Sequence, residues 1–290
     1  MKILVTGCNG FVAGSLIESL KGDCEIIGVG RQACAQSQDF AYIQADISHK
    51  DELLTRVSET VEEADVIIHA AAYLGADEFQ LYRSNCIGTQ NVVELAKLLN
   101  CKQVIYISSV PVIGKPTEIP ITEQHDIRPR TVYHYTKYFG ELILGQLEGY
   151  GICSTILRIA SPVGKGMPNN KIFSVFAKNG LKNQDIVIQG NGTRIQNYLD
   201  VRDLAEAIKK VIEKHPAGTY IVNGNSVSDR ELAERCIFVN KSQSKVVIKG
   251  NSDIPEESWI PSGELAEKEF GYTSKCSLED SIRYVLEGMV

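Results

Sequence analysis

The chain has 290 residues, 43% of them apolar, enough for one large or two closely packed domains with a sizeable core. A formal net charge of −6 argues against a nucleic-acid partner, which would need a basic face. No run reaches the ~18 uncharged apolar residues of a membrane span, and the opening apolar run breaks at Gly7, too early for a signal peptide, so a cytoplasmic protein is expected.

Short apolar runs alternate with amphipathic stretches along the first half of the chain. Residues 2–6 read as a strand and 11–20 as a helix. A second strand covers 25–29, a short third 42–45, and 51–61 is helical. A fourth strand, 64–69, ends in the small residues Ala70, Ala71 and Ala72. Helical periodicity runs through 79–99, a strand follows at 103–107, a helix at 132–147, and a strand at 154–158. Such strand–helix alternation predicts a Rossmann-type, doubly wound parallel sheet. After Pro162 the pattern loosens into a glycine-rich loop, mixed short elements and a clear helix at 201–213. A last helix starts at Ser277, whose hydroxyl can cap it, with Glu279 and Asp280 in the first turn. The expected division is a dinucleotide-binding domain of residues 1–162, with 196–223 returning to it. Residues 163–195 and 224–290 then form a smaller, mixed α/β lobe over the carboxyl edge of the sheet, where ligands of open α/β sheets bind.

Cys8, Cys24, Cys34, Cys86, Cys101, Cys153, Cys236 and Cys276 are scattered, without a Cys-x-x-Cys pair and mostly among apolar neighbours. They read as small hydrophobes, so neither a disulfide framework nor a metal site is expected.

The first strand runs into Thr6-Gly7-Cys8-Asn9-Gly10-Phe11-Val12-Ala13-Gly14 and then into a helix. Gly7 permits a tight turn, Gly10 lets the backbone approach a pyrophosphate, and the helix N-terminus offers free N–H groups and partial positive charge. Gly-x-x-Gly alone says little; between a first strand and a helix it points to a dinucleotide. The second strand ends Gly28-Val29-Gly30-Arg31, without the acid that would accept hydrogen bonds from the adenosine ribose. A guanidinium there can grip a 2′-phosphate or simply face solvent. NADP is therefore expected over NAD. Tyr133-His134-Tyr135-Thr136-Lys137 places Tyr133 and Lys137 on one helix face. A nearby ammonium favours the phenolate and so lowers a tyrosine's pKa toward useful acid–base chemistry. Tyr135 has no lysine four residues on.

These segments together resemble the extended branch of the short-chain dehydrogenase/reductases, whose loop reads Thr-Gly-x-x-Gly-x-x-Gly; here the third glycine is Ala13, with Gly14 after it. The resemblance implies cofactor contacts from Gly7, Asn9, Gly10, Phe11, Val12 and Arg31, and from Asp46 and Ile47 after the third strand. It adds Ala70, Ala71 and Ala72 beneath the cofactor, Asn85 in Asn85-Cys86-Ile87-Gly88-Thr89-Gln90-Asn91, and Tyr133 and Lys137. Ser108-Ser109-Val110-Pro111-Val112-Ile113-Gly114 resembles the family's Ser-Ser-x-x-Val-Tyr-Gly, which makes Ser109 the catalytic serine and Ser108 the structural one. Tyr133 is then the general acid/base and Lys137 its electrostatic helper. His69 reads as a packed histidine.

Many extended members act on nucleotide sugars. The 4-epimerases carry Asn-Pro-Val-Gly and Arg-Asp-Tyr where this chain has Ser161-Pro162-Val163-Gly164 and Gln196-Asn197-Tyr198. Ser161 and Arg194, two residues before Gln196, are the substrate-binding candidates, since Gln supplies no charge for a diphosphate. The dehydratases' Asp-Glu pair is replaced by Val110-Pro111. The expected activity is NAD(P)-dependent hydride transfer at a sugar carbonyl or alcohol, leaning to a ketoreductase. The alternatives are a nucleotide-sugar 4-epimerase, a reductase of a non-sugar carbonyl, and a non-catalytic dinucleotide sensor. Family members often dimerise through the helices here at 79–99 and 132–147, so a homodimer is expected.

Overall fold

The computed structural model describes residues 1–35, 39–250 and 257–289. In chain order the first half runs β1 (Lys2–Thr6), α1 (Phe11–Leu20), β2 (Glu25–Gly30), β3 (Ala41–Gln44), α2 (Lys50–Ser58), β4 (Val66–His69), α3 (Glu78–Tyr82), a π-helical turn (Arg83–Ile87), α4 (Gly88–Leu98), β5 (Gln103–Ser109), α5 (Val132–Leu144) and β6 (Cys153–Ile159). The second half runs β7 (Ser161–Val163), α6 (Ile172–Leu181), β8 (Ile186–Gln189), β9 (Ile195–Asp200), α7 (Val201–Lys214), β10 (Gly218–Val222), β11 (Asn225–Ser228), α8 (Asp229–Val239), β12 (Val246–Lys249), α9 (Glu264–Phe270) and α10 (Leu278–Glu287).

Seven strands form one parallel sheet in the order β10-β6-β5-β4-β1-β2-β3. Parallel neighbours cannot be joined by a tight turn, so most of the crossovers carry a helix onto a sheet face. The two faces hold separate apolar layers. One packs Leu16 and Ile17 of α1 and Leu204 and Ile208 of α7 on the sheet. The other packs Leu53 of α2, Val92 and Leu95 of α4 and Ile143 of α5. This is the Rossmann-type α/β fold expected from the alternation.

The looser half resolves into a three-stranded sheet, β11-β9-β7, and the pair β12-β8. These cover a third core with Phe173 and Phe176 of α6, Cys236 of α8 and Ile282 of α10. Strand β9 joins this lobe, whereas α7 and β10, which follow it directly, belong to the main body. Ser277 caps α10 in a capping box with Asp280.

The stretch expected as one helix over 79–99 is α3, the π-turn and α4 in series. Asn85 lies in the wide turn, where its amide binds Tyr73 and Thr136 outside the helix; single π-turns of this kind are recurrent in helices that carry functional groups. The helix expected to reach 147 ends at Leu144 and tightens into a 3₁₀ segment, Gly145–Tyr150.

Helix α5 lies close to β5 because Gly140 faces Tyr106, which is fully buried. A Cβ at Gly140 would fall on the Tyr106 hydroxyl. Gly140→Ala should therefore cost about 1–3 kcal/mol of stability through overpacking, read as a lower urea midpoint at unchanged slope. An unaltered midpoint would refute this packing.

Candidate active site

The carboxyl ends of β1, β2, β4, β5 and β6 open onto one cavity of about 1050 Å³. The loop after β1 forms one wall. Gly7 adopts φ +70°, and a Cβ there would stand 2.6 Å from the Ala71 Cα, so the crossing of loop and β4 exit is closed to any side chain. Gly10 is the N-cap of α1 and supplies no side-chain cap, which leaves the first N–H groups of the helix without a side-chain acceptor. A phosphate group fits this cradle of backbone donors and partial positive charge. Gly7, Asn9, Gly10, Phe11, Val12, Arg31, Asp46, Ile47, Ala70, Ala71 and Ala72 all line the cavity.

Burial works against the charge on Asp46, but hydrogen bonds from the Ser48 N–H (2.9 Å) and hydroxyl (2.8 Å), with Arg31 nearby, hold its carboxyl below the usual range. Arg31 is exposed at the cavity wall. Gly30, at the end of β2, is tightly surrounded: a Cβ would lie 3.0 Å from the Tyr42 hydroxyl and 3.4 Å from the Cys8 sulfur.

The deep end of the cavity is built by β5 and α5. Thr131 caps α5 by accepting a hydrogen bond from the His134 N–H. Tyr133, His134 and Lys137 then reach the same space as Ser109. Lys137 is 2% exposed, and its Nζ lies 4.0 Å from the centre of the Tyr106 ring. Burial pulls its ammonium down to about 7, against the opposing pull of the Glu141 carboxylate. Burial also pushes the Tyr133 phenol up to about 12. The sequence predicted a lowered value from the lysine; in the chain alone, burial raises it instead. Tyr135 points outward, 58% exposed.

His69 is fully buried, with Nδ1 2.7 Å from the Thr6 hydroxyl and Nε2 3.0 Å from that of Thr89. Burial first, and the Lys137 charge second, hold it neutral, down to about 3. It braces β1 against α4.

Asn85 does not line the cavity. It donates to the Tyr73 carbonyl (3.1 Å) and the Thr136 hydroxyl (3.0 Å) and accepts from the Tyr73 N–H (2.8 Å), tying the exit of β4 to α5. Ser161 and Arg194 do line it. The Ser161 hydroxyl accepts from Gln196 at 2.7 Å, and Arg194 grips both oxygens of Asp229, at 3.1 and 3.3 Å.

Sequence reasoning missed several residues here. Arg158 binds the buried Glu141, as does Ser108, read from sequence as the structural serine; Glu141 stands one turn past Lys137, a spacing that carried the signal. Tyr198 also lines the cavity, and its buried hydroxyl has no partner among the described residues. All eight cysteines are free thiols. No helix among the described residues is long and apolar enough to cross a membrane.

The buried amine has a stability signature. The folded chain gives up the Lys137 proton near 7, the unfolded chain at the ordinary lysine value of 10.5. Between these values the unfolded state binds more protons, so the cost of the amine is full below about pH 7 and fades as pH rises. Lys137→Met should raise the denaturation midpoint at about pH 6 and lose most of that gain by about pH 10. An equal gain at both would sink the assignment.

Comparison with known proteins agrees with this geometry. The profile described as the NAD dependent epimerase/dehydratase family matches residues 3–223. UDP-glucose 4-epimerase of Pisum sativum is 25% identical over 336 residues, covering 97% of this chain and 93% of that protein. UDP-glucose 4-epimerase from Thermotoga maritima, solved with UDP-glucose, shares the fold at a TM-score of 0.90 and 20% identity, over 100% of this chain and 98% of that one. UDP-glucuronic acid 4-epimerase from Bacillus cereus, solved with NAD, does so at a TM-score of 0.85 and 21% identity, over 100% and 98%. The chain belongs to the NAD dependent epimerase/dehydratase family, enzymes of the extended short-chain dehydrogenase/reductase type.

Proposed function

We propose that this chain is a nucleotide-sugar 4-epimerase. The observation that carries the reading is that Ser109, Tyr133 and Lys137 line the same cavity as the backbone cradle of α1. Proton and hydride chemistry thereby share one enclosed space. A bound nicotinamide dinucleotide supplies the hydride acceptor and donor. Tyr133 takes the proton of the reacting sugar hydroxyl and returns it to the same oxygen. Ser109 donates a hydrogen bond to that oxygen. Lys137, when charged, favours the phenolate, a help Tyr133 needs because burial opposes ionisation. Ser161, Arg194 and the unpartnered Tyr198 hydroxyl are offered to the substrate.

The ketoreductase expectation gives way to its alternative: the Pisum and the two bacterial proteins are all named 4-epimerases. Val110-Pro111 in place of an Asp-Glu pair speaks against the dehydratase branch. The domain assignment of 1–162 with 196–223, against 163–195 with 224–290, is part of this reading, save that β9 pairs within the sheet of the second lobe; residues 251–256 and 290 of the second lobe lie outside the described residues. So is a homodimer packed through the outer faces of α4 and α5, where Leu98, Phe139 and Leu142 stand exposed.

The purified enzyme should interconvert a UDP-sugar, tested with UDP-glucose and UDP-galactose among others, with no net change in nicotinamide absorbance. Tyr133→Phe should lower turnover ~10²-fold or more while cofactor still binds, and Tyr135→Phe should leave turnover near wild type. One cofactor consumed per product would overturn the epimerase reading.

For the cofactor, Arg31 and the absence of an acidic residue at Gly30 support NADP over NAD, although the Bacillus cereus protein was solved with NAD. Calorimetric titration should show tighter NADP binding that Arg31→Ala abolishes. Equal affinities, unmoved by the substitution, would refute it.

A further inference from the structure

Tyr133, Lys137 and Glu141 follow one another at four-residue intervals on α5, so they share a helix face. Tyr133 and Lys137 reach the cavity, and Glu141 lies behind them. Its side chain is 4% exposed and that of its partner Arg158, on β6, is 7% exposed. Arg158 donates Nε to one carboxylate oxygen at 3.1 Å and a terminal nitrogen to the other at 2.7 Å. The Ser108 hydroxyl of β5 donates to the first oxygen as well. A buried carboxylate with three donors is fixed in place.

The groups around the Lys137 ammonium come from every element packed on it. Helix α5 brings Glu141, the π-turn brings Cys86, β5 brings the Tyr106 ring, and β4 brings His69. Arg158 on β6 reaches it only through Glu141. Tyr106, Cys86 and His69 are neutral. Among the described residues, Glu141 is therefore the anion that faces Lys137.

We propose that Glu141, clamped by Arg158 and Ser108, is a positioning residue that acts through Lys137 on the proton chemistry of Tyr133. The inference rests on the reading of Tyr133 and Lys137 given above. Burial alone strips the proton from Lys137, and Glu141 opposes this, so the ammonium persists to about 7. Without the carboxylate charge, Lys137 would face Arg158 with no anion between them. It would then lose its proton, and its effect on Tyr133, at lower pH.

The test labels lysine with ¹⁵N and assigns Lys137 as the resonance absent from K137A. Its titration midpoint is followed in the wild type, E141Q, E141D and the double variant E141Q/R158Q. E141Q should move the midpoint down by about one pH unit or more, with the alkaline limb of kcat/KM moving alike. E141D, which keeps the charge, should stay near wild type. E141Q leaves Arg158 buried and unpaired, which destabilises; the double variant removes that unpaired guanidinium and should show the downward shift as well. A midpoint unmoved in E141Q and in the double variant, with Y133F inactive, overturns this inference alone. Full turnover in Y133F overturns the acid–base reading on which it rests.

Discussion

Parallel strand pairing governs nearly everything else in this molecule. Seven strands that all run one way must each be reached by a crossover, and most of the crossovers lay a helix on the sheet. Every strand then finishes at the same edge. The cradle after β1, the small residues after β4, Ser109 at the end of β5 and Ser161 after β6 come from distant parts of the chain, yet they meet in one cavity because their strands end side by side. The second lobe closes over that edge because β7 and β9 leave the main body there.

The cost of this arrangement is a lysine with almost no access to water. A desolvated ammonium is unfavourable unless its surroundings answer it. The chain provides the face of Tyr106 at 4.0 Å and the carboxylate of Glu141, itself paired with Arg158. A hydrogen-bonded series runs alongside. Thr6 meets His69, His69 meets Thr89, Thr89 donates to the Asn85 carbonyl, Asn85 donates to Thr136, and Thr136 donates to the Tyr133 carbonyl. Phosphate cradle and catalytic helix are thus tied through the floor of the sheet, and His69 serves as a neutral link in it.

The substrate end is organised differently. Gln196 and Ser161 satisfy each other across β9 and β7, and Arg194 is held by Asp229 at the start of α8. Charge is balanced locally in that wall, and the unpartnered hydroxyl of Tyr198 lies in the same wall. The wall of the first loop differs, offering backbone donors at the start of α1 in place of paired side chains.

Periodicity and short motifs determined the first half from sequence alone. Apolar runs of period two and 3.6 reflect which side of each element meets the core, so β1 and α1 have the bounds the pattern predicts, and α7 differs by one residue. The loop after β1 and the Tyr133–Lys137 spacing were equally legible, because backbone turn and helix pitch are local. The breaks around 83–87 and after Leu144 were not, since the π-turn answers contacts that Asn85 makes with Tyr73 and Thr136, far off in the chain. The pairing of Glu141 with Arg158, of Arg194 with Asp229 and of Ser161 with Gln196 was likewise decided in three dimensions. So were the directions in which Tyr133 and Lys137 are shifted, because desolvation depends on everything packed around a group and no spacing in sequence encodes it.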